Sequence, residues 1–433
     1  MMANYDFYPY VSLESNVDIN DLRYSLRVYD PVKNINYLDR SNNKISPYSK
    51  NLLIKSTRNF RTHILKIVVN DPAKIKECIL IFDLFRISNS GDEVHVIKRY
   101  LSENRIEDFS YQNRYNVKLD IIKYKETKNV TKQTQPNNPN ILEVNLPSNR
   151  IFIEEKYRPG NSNDPFTKER VETSLYSRIK DPYPNQRSTY LCGPAAFFYC
   201  VLNSNKKIYA KIVKELWEKG EVKVNNLNIK PSLDGARKVN GFYKENKGVN
   251  NKITLNPRIS PVDWITMGSL RDSENSVFDY NTAESQNIVG DSFNGFTAFT
   301  LPSDMERWLK NIGYKIVYTE RNYSSRVDSL IKANAFSMKN HYLIALTMGA
   351  IVEGQPEIPR FSKLKVRGPS HWIVFTDNIK TKKGQLITSS TQHSEIVSAY
   401  CATWGSNQKI KDQELSFLSS NLYWFIVVEK TLN

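Results

Sequence analysis

The stretch PNQRSTYLCGPAAFFYCVLN, residues 184–203, is the part of the chain around which the rest is organised. Cys192 is followed by Gly193 and Pro194 and then by small and aromatic residues, a pattern that predicts a tight turn leading into a buried helix. The first turn of a helix presents unpaired N–H groups and the positive end of the macrodipole, and both stabilise a thiolate. We therefore expect Cys192 to be a nucleophile that the backbone both places and activates.

The composition indicates a globular chain without a dedicated nucleic-acid role. Its 433 residues are 40% hydrophobic and 12% aromatic, enough to fill the cores of two or three domains. The formal net charge of +16 suits an anionic partner. The basic residues are scattered, however, with neither a helical basic stripe nor interleaved basic and aromatic residues, so nucleic acid is not expected as a partner.

The four cysteines do not form a metal-binding or disulfide pattern. They lie at positions 78, 192, 200 and 401, with no CxxC pair and no histidine at a ligand spacing, so neither a metal nor another cofactor is predicted. A disulfide framework is not expected in a chain of this size, and the thiols are predicted to be reduced. Cys200 and Cys401 are expected in the core, and Cys78 has no assigned role.

The chain carries no targeting or membrane pattern. Its N-terminus lacks a basic region followed by an apolar core, so no ordinary secretory signal is predicted. No apolar run reaches the roughly 18 residues of a membrane span. We expect a protein made in the cytoplasm, which would need a specialised secretion system to act in another cell.

Three regions are predicted. Residues 1–124 are expected to form a β-rich domain of unknown role, from the strand-like runs YSLRVYD, HILKIVV and NVKLDIIKY. In the same region, KIKECILIFDLF is apolar on too many faces to separate helix from strand. Residues 125–182 are interpreted as a linker and connecting segment, because KETKNVTKQTQPNNPN has almost no apolar content. Residues 183–433 form the third region.

Helices precede strands in the third region. Besides the Cys192 helix, the sequence predicts helices in KKIYAKIVKELWEKG, ending at Gly220; after the N-cap Ser260; after a capping box of Ser303 and Glu306, ending at Gly313; and in SRVDSLIKANA. Strands are predicted in HYLIALTMGAIV, HWIVFTDNI, GQLITSS, IVSAYCATW and LYWFIVVEK. Helices followed by an antiparallel sheet predict an α+β fold.

Three histidines follow Cys192 and could supply its base. His371 is the strongest candidate, because RGPSHWIVFTD places it at the start of a strand directly after a turn. His341 begins a similar strand and is the second choice. His393 lies in the polar loop TQHSE and is expected to be solvated.

An oxyanion-stabilising residue is also predicted. Gln186 lies six residues before Cys192, within reach of the nucleophile if the intervening residues form a turn. Its side-chain amide would then donate to an oxyanion together with the backbone N–H of Cys192.

The order of these residues resembles the papain-like cysteine peptidase fold, most closely its bacteriocin-leader-processing branch. The resemblance covers 183–433 and is carried by Gln186, Cys192-Gly193-Pro194 and His371-Trp372. It implies a helical half packed on an antiparallel sheet, with Gln186 in the oxyanion hole, Cys192 as nucleophile and His371 as general acid and base. A protein or peptide substrate follows from the same resemblance.

A second resemblance concerns the biological setting. The Cys192 segment together with ISPVDWITMGSLRDSEN is similar to peptidase-like domains of bacterial contact-dependent and type VI secretion toxins. It implies a secreted effector whose partners include a component of the secretion apparatus or a cognate immunity protein.

The chain departs from the papain-like pattern at the third catalytic position. That family usually has Asn or Asp there, often just before a Trp-Gly pair, whereas here Thr403 precedes Trp404. Asp377 lies six residues after His371 on the same strand, roughly 20 Å away. Asn407 is the remaining candidate, if it folds back toward His371. Otherwise the site uses a Cys–His dyad with a hydroxyl or backbone group orienting the histidine, or it is impaired.

Two alternatives therefore stay open. The same Cys–His chemistry serves deamidases, transglutaminases and peptidoglycan amidases, and the motif does not separate them. The missing Asn or Asp is also compatible with a non-catalytic binding protein that holds an acidic partner on its basic surface.

Overall fold

The computed structural model divides the chain into two compact units. Unit 1 contains Met1–Asn145 and Glu169–Asp181, and unit 2 contains Leu146–Lys168 and Pro182–Asn433. The residues described are 5–31, 33, 35–41, 44–45, 53–56, 59–76, 78–87, 91, 93–102, 104–113, 117, 119, 121–125, 146, 150–187, 189–247, 253–274, 280, 283, 300–320, 327–336, 338–353 and 370–432. Of the linker stretch KETKNVTKQTQPNNPN, residues 125–140, only Lys125 is among them.

Unit 1 is built from strands, as its sequence predicts. They are β1 (Tyr5–Phe7), β2 (Ser12–Ser15), β3 (Leu22–Asp30), β4 (Ile35–Asn36), β5 (Leu38–Asp39), β6 (Lys44–Ile45), β7 (Ile54–Ser56), β8 (Asn59–Arg61), β9 (Ile67–Val69), β10 (Ile79–Ile87), β11 (Glu93–Leu101) and β12 (Ile121–Tyr124). One four-stranded sheet has the order β11-β10-β3-β4 and another the order β12-β2-β8-β7. Apolar side chains from both sheets share one core.

The ambiguous segment KIKECILIFDLF is a strand. A short 3-10 helix at Pro72–Ile75 precedes β10, which lies between β11 and β3 in its sheet. The first six residues of β10 are all buried. A strand buried on both faces shows no apolar–polar alternation, and for this reason its sequence could not be told from a buried helix.

Unit 1 also contains a helix that the sequence analysis missed. Helix α1 (Lys168–Lys180) lies within the segment interpreted as linker and connection, and its residues from Glu169 onward belong to unit 1. Val171 and Leu175 are buried, and the Tyr176 hydroxyl donates to the Leu101 carbonyl at 2.8 Å. The sequence KERVETSLYSRIK has too few apolar residues to show a clear helical period.

The helices of unit 2 follow the predicted order, apart from a last short helix that was not predicted. They are α2 (Cys192–Ser204), α3 (Lys206–Lys219), α4 (Pro261–Asp263), a π-helical turn (Trp264–Gly268), α5 (Ser269–Glu274), α6 (Pro302–Ile312), α7 (Val327–Asn334) and α8 (Leu415–Ser420). Among the described residues, no helix is both long and apolar enough to cross a membrane.

The helix caps follow the sequence at three of four places. Gly220 ends α3 at φ 73°, and Gly313 ends α6 at φ 115°. The Ser260 side chain accepts from Asp263 N at 3.2 Å. The predicted cap at Ser303 is wrong: α6 begins one residue earlier, where the fixed φ of Pro302 suits the first helical position and the Asp304 carboxylate accepts from Leu301 N.

The strands of unit 2 form one large antiparallel sheet and several short pairs. They are β13 (Ile153–Glu154), β14 (Val222–Val224), β15 (Leu227–Ile229), β16 (Lys238–Val239), β17 (Tyr243–Lys247), β18 (Ile253–Pro257), β19 (Ile316–Glu320), β20 (His341–Thr347), β21 (His371–Phe375), β22 (Lys380–Thr381), β23 (Ile396–Thr403), β24 (Ser406–Glu414) and β25 (Leu422–Glu429). The large sheet has the order β19-β25-β20-β21-β23-β22, with β24 paired to β23.

One strand prediction fails at this sheet, and one of its strands was not predicted. GQLITSS forms no strand beyond an isolated bridge at Leu386. Ser406–Glu414 is a nine-residue strand although its sequence, SNQKIKDQE, is polar. It pairs with β23 and leaves most of its side chains outside the core, so backbone hydrogen bonds rather than apolar side chains specify it.

Unit 2 therefore has an α+β fold, and α2 packs against β21 and β23. Eleven of the thirteen residues of α2 are buried. Its ring contacts include Phe197 with Trp308, at 5.9 Å between centroids, and Phe198 with Tyr209 at 5.8 Å. This packing brings the first turn of α2 to the start of the central strands.

We predict that Asn205→Ala destabilises unit 2 through α3. The Asn205 side chain accepts from Lys207 N and Ile208 N, two donors that have no partner within the helix. Its loss should lower the free energy of unfolding by about 1 kcal/mol in denaturant titrations. Asn205→Asp, which keeps the acceptor, is the matched control, and equal stability of the Ala variant and the wild type would contradict the assignment.

Candidate functional site

Cys192 is the first residue of α2, as predicted. Gly193 follows because the Thr300 side chain lies against it: a Cβ at this position would come within 2.2 Å of Thr300 Oγ1. Pro194 lies in the first turn, where the N–H that it lacks has no partner within a helix. The CGP sequence thus allows the helix to begin in close contact with its neighbours.

The Cys192 thiol is enclosed, with 8% of the residue exposed. Burial raises the pKa of the thiol. The backbone N–H groups of Trp372 and Gly193 and the guanidinium of Arg271 act in the opposite direction, and burial is the largest effect. The thiol is therefore protonated at neutral pH, contrary to the thiolate expected from its position at a helix N-terminus.

His371 is the first residue of β21 and is 5% exposed. Its Nε2 shares a hydrogen bond of 2.6 Å with Thr403 Oγ1. Burial lowers the pKa of His371 to about 3, so the imidazole is neutral at physiological pH. The cysteine and the histidine are thus both uncharged when the site is empty.

The Trp404 ring packs against one face of the His371 imidazole. The two rings are stacked, with centroids 4.4 Å apart and an interplanar angle of 14°. Trp404 (φ 44°) and Gly405 (φ 78°) form the two-residue turn between β23 and β24, in which both residues have positive φ. Positive φ is strained for a bulky side chain. The contact with His371 explains why a tryptophan occupies this position.

Thr403, and not Asn407, is hydrogen-bonded to His371. Asn407 is exposed, and its Oδ1 accepts from Thr376 Oγ1 at 2.7 Å. Asp377 pairs with Lys380. The sequence predicts a hydroxyl or backbone group orienting the histidine as one alternative, without assigning it to Thr403. The structure shows that its hydroxyl contacts the imidazole directly, because Thr403 ends β23 beside the start of β21.

Gln186 lies beside Cys192, as predicted, and 5% of it is exposed. The Thr189 N–H and hydroxyl both donate to the Gln186 carbonyl, at 3.0 and 2.7 Å, and form the turn that returns the chain toward α2. In the part of the chain that is described, Gln186 Oε1 is buried without a hydrogen-bond partner. An unpaired buried amide oxygen is costly, and a ligand in the site would relieve that cost.

Gln186, Cys192 and Thr403 line one small cavity of about 10 Å³. This volume is close to that of a single water molecule. The complete lining is Tyr183, Pro184, Gln186, Cys192, Ala195, Ala196, Tyr199, Trp372, Ala402 and Thr403. His371 does not line the cavity. Its imidazole is hydrogen-bonded to Thr403, which does.

The other histidines of unit 2 lie elsewhere. His341 is at the opposite end of β20 from Thr347, the residue that pairs with His371, and six residues of strand span roughly 20 Å. His393 is exposed. All four cysteines are free and buried. Within the described ranges, no group of three or more His, Cys, Asp or Glu residues could hold a metal ion.

Comparison with known proteins identifies no relative of this chain. No family model, curated protein or solved structure matches the chain. The site is therefore interpreted from its own residues.

We predict that Thr403→Val destabilises the site. The change preserves shape but removes the hydroxyl from a buried imidazole nitrogen, which should cost about 1–3 kcal/mol in chemical denaturation. Thr403→Ser keeps the hydroxyl and serves as control. If the Val and Ser variants unfold alike, the bond between Thr403 and His371 does not contribute to stability.

A pH-dependent stability follows from the burial of His371. Its pKa is about 3 in the folded chain and about 6.5 when unfolded, so between these values the unfolded state binds more protons. This contribution is complete above pH 6.5 and is lost as the pH falls toward 3. Near pH 5, the free energy of unfolding of the wild type should fall more steeply than that of His371→Gln, by about 1.4 kcal/mol per pH unit. Equal slopes would show that His371 titrates normally.

Proposed function

We propose that the chain is a thiol hydrolase with a papain-like arrangement of its helices and sheet, most simply a cysteine peptidase. The observation that carries this proposal is the placement of two groups. The Cys192 thiol lies against the backbone N–H of Trp372, the residue that follows His371, and Thr403 and Trp404 hold the imidazole. A nucleophile at a helix start and an oriented base at a strand start are the parts that acyl transfer requires.

In the proposed reaction, His371 carries one proton from the Cys192 thiol to the leaving nitrogen, and then one proton from water to the Cys192 sulfur. His371 accepts the thiol proton as Sγ attacks the amide carbonyl carbon, and donates it to the leaving nitrogen when the C–N bond breaks. A thioester remains. Water then attacks the thioester with His371 as base, which releases the acid and restores the thiol.

Cys192 and His371 are both neutral when no substrate is bound, and this affects the transfer of the thiol proton in the first step. Because burial raises the pKa of the thiol and lowers that of the imidazole, charge separation in the empty site is unfavourable. The ion pair should form only when the substrate supplies compensating contacts. Proton transfer is therefore coupled to attack and does not precede it.

Gln186 is proposed to stabilise the oxyanion. Its amide lies in the same cavity wall as Cys192 and is buried, and donors in a water-poor site act strongly on a developing charge. The N–H of Cys192 would be the second donor. The cavity holds about one water, so it must widen for a peptide to enter.

Two alternatives remain. Deamidation, transglutamination and peptidoglycan amide hydrolysis use the same nucleophile and base, and they differ only in the amide attacked and the acceptor. A non-catalytic binding protein is supported by the near-complete burial of Cys192 and His371. Delivery as a secreted effector, with an apparatus component or immunity protein as partner, stays a prediction from sequence.

The proposal is tested with the purified full chain and a library of fluorogenic peptides. Cys192→Ala and His371→Ala should each reduce hydrolysis by at least about 100-fold, because each removes one participant in proton transfer or attack. Cys200→Ala is the matched control, since Cys200 lies on the same helix and is fully buried. It should retain activity.

Full activity in either Cys192→Ala or His371→Ala overturns the proposal. Activity of the wild type on glutamine side chains alone would assign the deamidase alternative. If no amide is cleaved and iodoacetamide alkylates Cys192 as slowly as Cys200, the binding protein is favoured.

A further inference from the structure

A second cavity belongs to unit 1 alone. It measures about 500 Å³, within the usual range of ligand pockets. Its lining is Tyr37, Arg40, Val68, Val69, Asn70 and Lys74. Two of these residues are cations and none is an acid, so the lining suits a ligand that carries negative charge.

One wall of the cavity is an edge of β9. This strand pairs antiparallel with β1 and with no other strand of the described chain. Directly before β9, Leu65 N donates to the Pro9 carbonyl at 3.0 Å on the β1 side, whereas the Lys66 carbonyl accepts from Arg40 N at 2.8 Å on the opposite side. Backbone groups alternate in direction along an antiparallel ladder, so those of Val68 point away from β1, as those of Lys66 do.

The backbone N–H and carbonyl of Val68 have no hydrogen-bond partner within the described ranges. Arg40 occupies the edge at Lys66, and the open part of the edge therefore begins at Val68, which lines the cavity. An unpaired strand edge is a template to which an extended peptide can add as a further strand. The cavity thus offers backbone pairing in addition to its two cations.

The two cations are attached to opposite ends of this edge. Arg40 is joined to Lys66 by its backbone bond, and Lys74 Nζ donates to Asn70 Oδ1 at 2.9 Å. Four residues of extended chain separate Lys66 from Asn70, roughly 13 Å. Arg40 and Lys74 are both exposed, and neither forms an ion pair with any residue that the structure describes.

Three acids neighbour the lining residues in the chain or in the ladder: Asp6, Asp39 and Asp71. None of them lines the cavity. Asp39 is 1% exposed, and its Oδ1 accepts from the Lys66 N–H at 2.9 Å. Asp6 forms an ion pair with the Lys66 ammonium at 3.3 Å. A ligand in the cavity therefore contacts the two cations and no carboxylate of the lining.

We propose that this cavity binds an extended acidic segment of a partner protein, which adds as a strand to the free edge of β9. The backbone of the segment pairs with the N–H and carbonyl of Val68, and its carboxylates pair with Arg40 and Lys74. Backbone pairing accepts almost any sequence, so the cations supply the selection for acidic side chains. The inference concerns unit 1 alone and does not depend on the proposed hydrolase.

Two peptide libraries test the proposal on the wild-type full chain. In the first, Glu flanks three positions filled with Thr, Val or Ile, which places the two carboxylates about as far apart as the ends of the edge. In the second, Gln replaces both Glu residues. Fluorescence polarisation of the fluorescein-labelled peptides should show about tenfold tighter binding of the Glu library, since each exposed cation contributes about threefold.

Variants assign the preference to the lining. Arg40→Gln and Lys74→Gln should each weaken binding of the Glu peptides about threefold and leave that of the Gln peptides unchanged. Lys123→Gln makes the same charge change at an exposed side chain of β12 that does not line the cavity, and it should have no effect. Equal weakening by all three variants would show that only the overall charge of the chain matters and would overturn the proposal.

N-methylated peptides test strand addition without any variant of the protein. Only alternate N–H groups of an added strand face its neighbour, so methylation at the central residue and methylation at the two residues beside it block opposite edges of the peptide. One pattern should weaken binding about tenfold and the other should be tolerated.

Three results would overturn the proposal. Equal binding of the Glu and Gln libraries would show that the cations do not select the ligand. If neither methylation pattern weakens binding and inorganic tripolyphosphate displaces the Glu peptides, the cavity is a simple anion site and no strand is added. Absence of binding by both libraries at millimolar concentration would show that the edge is closed to peptides.

Discussion

The first turn of α2 can be buried only if its neighbours fit it closely, and the candidate site depends on this fit. Thr300 fills the space that a side chain at position 193 would need, and the thiol of Cys192 lies against the backbone N–H of Trp372. A helix start held in this way has little freedom to move. The residue that precedes Trp372, His371, is therefore placed near Cys192 by the same contact that buries the helix.

Burial of Cys192 and His371 makes their charged forms costly, and this determines the protonation state of the site. The uncharged forms of Cys192 and His371 are favoured, whereas a helix N-terminus alone would favour a thiolate. Desolvation is the larger effect because both residues are almost completely enclosed. Gln186 Oε1 is buried without a hydrogen-bond partner among the described residues, and Gln186 lines the same cavity as Cys192.

The orientation of His371 depends on two contacts. Thr403 contacts the imidazole through a single hydroxyl, and Trp404 adds a stacked ring from a strained turn. A hydroxyl carries no charge, so it orients the imidazole without stabilising its protonated form as a carboxylate would. This agrees with a histidine whose pKa lies far below the ordinary value.

The sequence by itself determined the elements with strong local signals. The start of α2 at Cys192, the glycine ends at Gly220 and Gly313, and the α+β order follow from caps, periodicity and turn residues. The contact of the Thr403 hydroxyl with His371 and the bond between Asn407 and Thr376 arise only from the tertiary packing. Local signals act within a few residues, whereas these two contacts join residues about 30 positions apart and depend on strand register.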